Sequence, residues 1–177
     1  PQHALAQARA LDQHRREGKP VGPLHGIPFG IKDIIDTADM PTEHGSPAFK
    51  GNKPEQDAAC VAALKSAGAI ILGKTNVPPA LGDWQSANPI YGRTNNPHDL
   101  TRYPGGSSGG SAAAIAMGFS ALEMGSDIGG SIRVPAAFCG VYGHKSSHGL
   151  LPMAGHTAGG SRVAPQLLSV IGPLARS

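Results

Sequence analysis

Cysteine, aromatic residues and charge are all scarce in this chain. Of 177 residues only two are cysteine, Cys60 and Cys139, and 5% are aromatic, with a single Trp at position 84. Two cysteines cannot make a disulfide framework, and two free buried thiols of a reducing compartment are the expected state. With so few aromatics, Ala, Val, Ile and Leu must build most of the core. Charged residues make up 15%, 15 basic against 12 acidic, and the basic ones are scattered, with Arg15 and Arg16 as their densest pair. A nucleic-acid surface clusters its basic residues and interleaves aromatics, so no nucleic-acid partner is expected. Long apolar runs are also missing. The longest, residues 112–121, is interrupted by Gly118 and Ser120 and is too short to span a bilayer. No leader pattern is visible, which points to a cytoplasmic protein. The chain starts at Pro1 rather than Met, and the expectation is a piece of a longer protein.

What the chain has in quantity is glycine and proline, 25 and 16 residues, well above average usage. They follow no period, which argues for many ordered loops rather than a fibrous or linker sequence. Between those loops, residues 4–17 have helical spacing, with Gly18 placed to close the helix. Residues 55–67 predict a second helix ended by Gly68, and residues 69–72 a short buried strand. The pair makes one helix–strand unit of an α/β fold. The Pro- and Asn-rich stretch 76–103 predicts irregular structure. Residues 108–117 predict an Ala-rich helix capped by Ser107 or Ser108, and 119–124 a strand. A helix over 131–139, with Pro135 in its first turn, a strand over 141–145 and a last apolar segment at 166–171 complete the reading. Asp33, Asp36 and Asp39, spaced by three, read as a hydrogen-bonded turn rather than a carboxylate pair.

Three patterns suggest chemistry that their context does not support. GAIILGKT, from Gly68 to Thr75, fits the phosphate-loop pattern of a nucleotide-binding module. Its middle residues are Ala, Ile, Ile and Leu, which read as the strand itself, and Val77-Pro78-Pro79 blocks the helix that must follow. Gly105 to Gly109 fits the nucleophile elbow of an α/β-hydrolase esterase centred on Ser107, with His144, His148 and His156 downstream. The polar segment ending at Pro104 is not the strand such an elbow requires. His144 and His148 stand four apart but lack helical surroundings and a third ligand. No metal and no cofactor are expected.

The stretch 105–140 carries two glycine–serine clusters, 105–111 and 125–131, joined by an apolar, Ala-rich run. With Lys32, set in the apolar segment IPFGIKDII, it supplies groups that can run hydrolysis without histidine. A buried lysine loses its proton near neutrality because desolvation disfavours the ammonium, and the neutral amine is a base. Ser131 follows Gly129 and Gly130 at the start of the last helix, where unpaired N–H groups suit an oxyanion. Singly, Ser131 reads as a helix cap and Lys32 as an ion-paired lysine. Composition and spacing therefore reach only an α/β domain with a glycine-rich site and a hydrolase as one reading.

The same stretch resembles the signature of the amidase signature family, G-G-S-S-G-G-S, an Ala-rich helix, then G-S-D-x-G-G-S-I-R-x-P-A-x-F-C-G. GPLHGIPFGIKD (22–33), GAIILGKTNVP (68–78), NPIYGRTNNP (88–97) and the closing GPLARS extend the likeness over nearly the whole chain. The resemblance implies an amidase-signature fold, a mixed β-sheet core flanked by helices, with residues 1–177 as a single partial domain and the C-terminal part of the fold lying beyond it. It implies a Ser–cis-Ser–Lys triad with Ser131 as nucleophile, Ser107 as bridging serine after a cis peptide bond, and Lys32 as base. The amides of Ile128, Gly129, Gly130 and Ser131 would hold the oxyanion. Asp127 and Arg133 would orient the loop and Ser108 would support it. Leu81, Asp83 and Trp84 are expected to line an acyl pocket. The reaction implied is hydrolysis of a small linear carboxylic amide to an acid and ammonia or an amine, and a homodimer is left open. A glutamyl-tRNA amidotransferase A-like subunit is the other branch. After KTN that branch carries an acidic–aromatic segment where this chain has VPPALGDW, which favours a free-standing amidase. The departure KSSH at 145–148, where the family has K-P-[ST], lies outside the triad.

Overall fold

The computed structural model describes residues 2–156 and 167–177. It contains α1 (Gln2–Arg16), β1 (Pro28–Lys32), α2 (Ala59–Ser66), β2 (Ile70–Thr75), β3 (Ala87–Asn88), β4 (Gly92–Arg93), α3 (Gly109–Ala116), β5 (Leu122–Asp127), α4 (Arg133–Cys139), β6 (Tyr142–Gly143) and β7 (Val170–Ala175). Five strands form one sheet in the order β2-β1-β5-β7-β6, and β3 and β4 form a separate short hairpin. β1 runs parallel to β2 and to β5, while β7 runs antiparallel to β5 and β6. The sheet is therefore mixed, as expected.

Alternation along the strands sends side chains to two different cores. Phe29, Ile31, Met124 and Ile171 join Val61 of α2 on one side. Leu174 joins Ala112 and Ile115 of α3 and Ile132 and Ala136 of α4 on the other. β1 is buried from Phe29 to Lys32, as a central parallel strand covered on both faces must be. Gly30 leaves room there for the Glu123 carboxylate of β5, which would have to shift to admit a Cβ lying 1.8 Å from it.

Several boundaries differ from those expected, each for a local reason. α2 starts at Ala59 rather than at residue 55. Asp57, just before it, accepts hydrogen bonds from the Ala38 amide and Lys65 Nζ and so ties two loops together. β2 runs on past Leu72 to Thr75, because Gly73, Lys74 and Thr75 pair with Gly30, Ile31 and Lys32 across a register shift. β5 begins at Leu122, not at 119, and Phe119 is 70% exposed in the preceding turn. The strand then continues through Ser126 and Asp127, into the second glycine–serine cluster. α4 begins at Arg133 rather than at Ser131. The expected strand at 141–145 shrinks to Tyr142–Gly143. The expected 166–171 segment begins on a residue outside those described, and β7 reaches further, to Ala175.

The misleading motifs take ordinary structural roles. GAIILGKT forms β2, and Lys74 Nζ is held by Ile35 O and Thr42 Oγ1 instead of standing over a loop. Asp33 accepts the Glu43 amide and Asp39 binds Lys65, so that aspartate run is structural. Cys60 and Cys139 are free and buried.

Candidate active site

β1 and β5 are parallel neighbours, so their C-terminal ends lie together, the usual place for a site in an α/β sheet. Lys32 closes β1, and Ser126 and Asp127 close β5. The first glycine–serine cluster packs beside them and leads into α3. This close approach needs glycine at two points. At Gly125 a Cβ would lie 2.9 Å from Ser108 Oγ and 2.8 Å from Leu174 Cδ1, and at Gly106 one would strike the backbone of Trp84 at 2.8 Å.

Lys32 is wholly buried. Its Nζ donates to Ser107 Oγ at 2.7 Å, to Ser126 Oγ at 3.1 Å and to Ser126 O at 3.2 Å. Burial pulls the ammonium down to about 7, although the nearby Asp127 carboxylate works in the opposite direction. Near neutral pH a large share of Lys32 is therefore an uncharged amine touching a serine hydroxyl. The Gly106–Ser107 peptide bond is cis, and Ser107 is completely buried. No strand leads into Ser107, so the elbow geometry of an α/β-hydrolase is absent around it.

Ser131 is half-buried and lines a cavity of about 430 Å³ together with Ser107 and Ser126. Its hydroxyl makes no hydrogen bond among the described residues, while its carbonyl accepts the Ser108 amide at 3.0 Å. Ser108 does not cap α3 with its side chain. Ser108 Oγ donates to Ser126 O at 3.3 Å, and the Gly109 amide is capped by Ser86 Oγ at 3.0 Å. Ser108 thus fastens the first cluster to β5.

The loop carrying Ser131 is organised by Asp127. Its carboxylate accepts the amides of Gly130 at 2.9 Å and Ile132 at 3.0 Å, and pairs in two-pronged fashion with Arg133 at 3.0 and 3.1 Å. Lys145 Nζ adds a contact at 3.2 Å. Burial alone would raise the Asp127 carboxyl, but Arg133 and the three amides of Ile132, Gly130 and Arg133 hold it well below the usual range. One of the four expected oxyanion donors is engaged within this loop. The Gly130 N–H is turned into the loop toward Asp127, with φ at +118°. Ile128, Gly129 and Ser131 remain as amides without a hydrogen bond among the described residues, and Gly129 faces open space.

Leu81, Asp83 and Trp84 all line the same cavity as Ser131. Leu81 and Ala80 both adopt left-handed backbone, with φ of +62° and +49°, a conformation that bulky residues rarely hold. Trp84 is 55% exposed at the rim. Sequence reasoning missed four cavity residues: Gly82, Ser126, His156 in any role other than a triad histidine, and Ser169. Ser126 sits inside the second cluster and could have been marked by that position alone. Ser169 carries no local signal. His144 and His148 do not line this cavity.

Likeness to known proteins runs along the whole chain. The family model described as Amidase matches residues 1–177. The chain is 46% identical over 175 residues to a glutamyl-tRNA(Gln) amidotransferase subunit of Chloroflexus aurantiacus, covering 99% of this chain and 35% of that protein. It is 46% identical over 178 residues to an acetamidase of Aspergillus oryzae, covering 100% of this chain and 32% of the relative. Among solved structures, native peptide amidase from Stenotrophomonas maltophilia superposes with a TM-score of 0.85 at 38% identity, over 98% of this chain and 36% of that one. The chain thus spans about a third of the length of the relatives it matches. Among the described residues no helix is long and apolar enough to cross a membrane.

Proposed function

The chain belongs to the amidase family, and on that premise we propose that it hydrolyses a linear carboxylic amide to an acid and ammonia or an amine through an acyl-enzyme on Ser131. The observation that carries this reading is the 2.7 Å contact between Lys32 Nζ and Ser107 Oγ, sealed in the sheet and opening onto the cavity of Ser131. Neutral Lys32 takes the Ser107 proton as Ser107 takes that of Ser131. Ser131 Oγ bonds to the carbonyl carbon, and the amides of Ile128, Gly129 and Ser131 stabilise the oxyanion. The relay then runs backward and protonates the nitrogen, so that the C–N bond breaks and the amine leaves. Water, deprotonated by the same relay, attacks the ester carbonyl and frees the acid and the Ser131 hydroxyl. Apart from water and the amide, every group in these steps belongs to the chain.

The acetamidase and the amidotransferase protein match at the same 46% identity, so the choice between a free-standing amidase and an A-like subunit rests on sequence detail. The segment from Val77 to Trp84 supports the free-standing reading. Leu81 and Trp84 place an apolar wall by Ser131, which suits a small acyl group. The test is ammonia release by the full chain from a panel of simple amides and from glutamine. Turnover of simple amides that disappears in Ser131→Ala supports the proposal. Turnover that persists in Ser131→Ala removes it, and turnover of glutamine alone replaces it with the amidotransferase reading.

A further inference from the structure

Two buried polar groups in the cavity have no task in the mechanism above. His156 is 6% exposed and Ser169 is 2% exposed, and both line the cavity that holds Ser107 and Ser131. Neither His156 Nε2 nor Ser169 Oγ has a hydrogen-bond partner among the described residues. Leaving a buried donor or acceptor unsatisfied is costly, and proteins rarely tolerate it without a use. The other buried hydroxyls of the cavity are occupied, since Ser107 and Ser126 are both bound to Lys32. Among the described residues, His156 and Ser169 are therefore the two buried side chains of this wall still able to bind something else.

We propose that His156 and Ser169 form a polar recognition subsite beside Ser131, which takes an uncharged hydrogen-bonding substituent of the substrate such as a hydroxyl or a second carboxamide. The proposal rests on the amidase reading and names the class of amide that site prefers. The substituent is uncharged because the wall does not match an ion. Among the described residues, none of the side chains lining the cavity is lysine or arginine, and the nearby cations Arg133 and Lys145 are paired with Asp127. A cationic group would face the field of Lys32. Burial first, and then the Lys32 field, push His156 down to about 4. A neutral imidazole offers Nε2 as donor or acceptor according to tautomer, and the Ser169 hydroxyl can play the complementary part. A carboxamide carries one of each and fits both. A pocket built to bind a polar group rejects the apolar isostere, because its own buried groups are then left unpaired.

The experiment uses two isosteric substrate pairs with the full chain: γ-hydroxybutyramide against pentanamide, and succinamide against isocaproamide. The readout is the ratio of kcat/KM within each pair. The wild type prefers the polar member, and His156→Leu or Ser169→Ala lowers that ratio about tenfold. His156→Gln, which keeps a hydrogen-bonding group, recovers part of it. A merely structural role lowers both members alike and leaves the ratio where it was, which overturns the subsite. Ser169→Ala removes a single oxygen and guards against a fold defect in the histidine variants. If the wild type hydrolyses amides but the ratio is unmoved in every variant, the subsite fails alone. If the wild type hydrolyses no amide and accepts no fluorophosphonate, the amidase reading fails and takes the subsite with it.

Discussion

Lys32 Nζ lies 2.7 Å from Ser107 Oγ, although the two residues stand 75 positions apart in the chain. β1 delivers the first and the loop before α3 delivers the second, and both side chains are wholly buried. The contact joins the two halves of the proposed relay, so substitution at either end has sharp consequences.

Lys32→Met keeps the length and apolar stem of the side chain and removes the base. It is expected to lower kcat by roughly 100- to 10,000-fold while the protein still folds. Lys32→Arg should be no better, since a guanidinium does not give up its proton. Steady-state amide hydrolysis checks both, and a Lys32→Met enzyme of near wild-type kcat would remove lysine from the chemistry.

The pH–rate profile should carry an acid limb near pH 7, where Lys32 titrates, with activity rising as the amine loses its proton. Stability follows the same group. Its pKa falls from 10.5 in the free state to about 7 in the fold. Between those values the unfolded chain binds more protons, so the Lys32 contribution grows as pH rises through that window and is lost as pH falls toward 7. Denaturant midpoints of wild type and Lys32→Met across that range should differ in slope, and parallel curves would contradict the burial argument.

Asp127→Ala should cost about 3 kcal/mol, at the low end for a buried pair because the Arg133 side chain is 54% exposed. The loss includes the caps on the amides of Ile132 and Arg133. Turnover should fall as well, because the Ser131 loop loses its anchor. The Asp127 carboxyl is held low in the fold, so its contribution is present above its ordinary pKa of 3.8 and disappears as pH falls below it. Urea titrations at neutral and acid pH measure both effects.

Gly30→Ala should destabilise the protein and disturb Lys32 two residues on, because its Cβ would overlap the Glu123 carboxylate. That carboxyl is pushed up to about 7 by burial, against the pull of hydrogen bonds from Ser120, Ser111 and Thr75. Adding Glu123→Ala should relieve the clash, so the two substitutions couple strongly rather than add. A double-mutant cycle with no coupling would place the defect elsewhere.

The triad candidates Lys32, Ser107 and Ser131 were legible because long motifs surround each of them, and the structure brings all three to one end of β1 and β5. The expected pocket residues Leu81, Asp83 and Trp84 were legible only by position in a similar motif. Ser126 could be marked by its place in the second cluster, but His156 and Ser169 were not legible as cavity residues, since nothing local marks a single serine or histidine that becomes important only through burial in the cavity wall. The contact of the Gly130 amide with Asp127 was not legible for a related reason. Whether a glycine N–H faces a substrate or a neighbouring carboxylate depends on the turn that Asp127 folds around itself. β5 was placed too early because Phe119 is apolar yet exposed, and because Gly-Ser-Asp has low strand propensity that pairing with β7 overrides.

The most direct test is the site of covalent attack. The full chain is treated with a fluorophosphonate, and the adduct is mapped by peptide mass spectrometry. The account predicts one adduct, on Ser131, that vanishes in Ser131→Ala and forms far more slowly in Lys32→Met. An adduct on Ser107 that survives Ser131→Ala would contradict it and hand the nucleophile's role to Ser107.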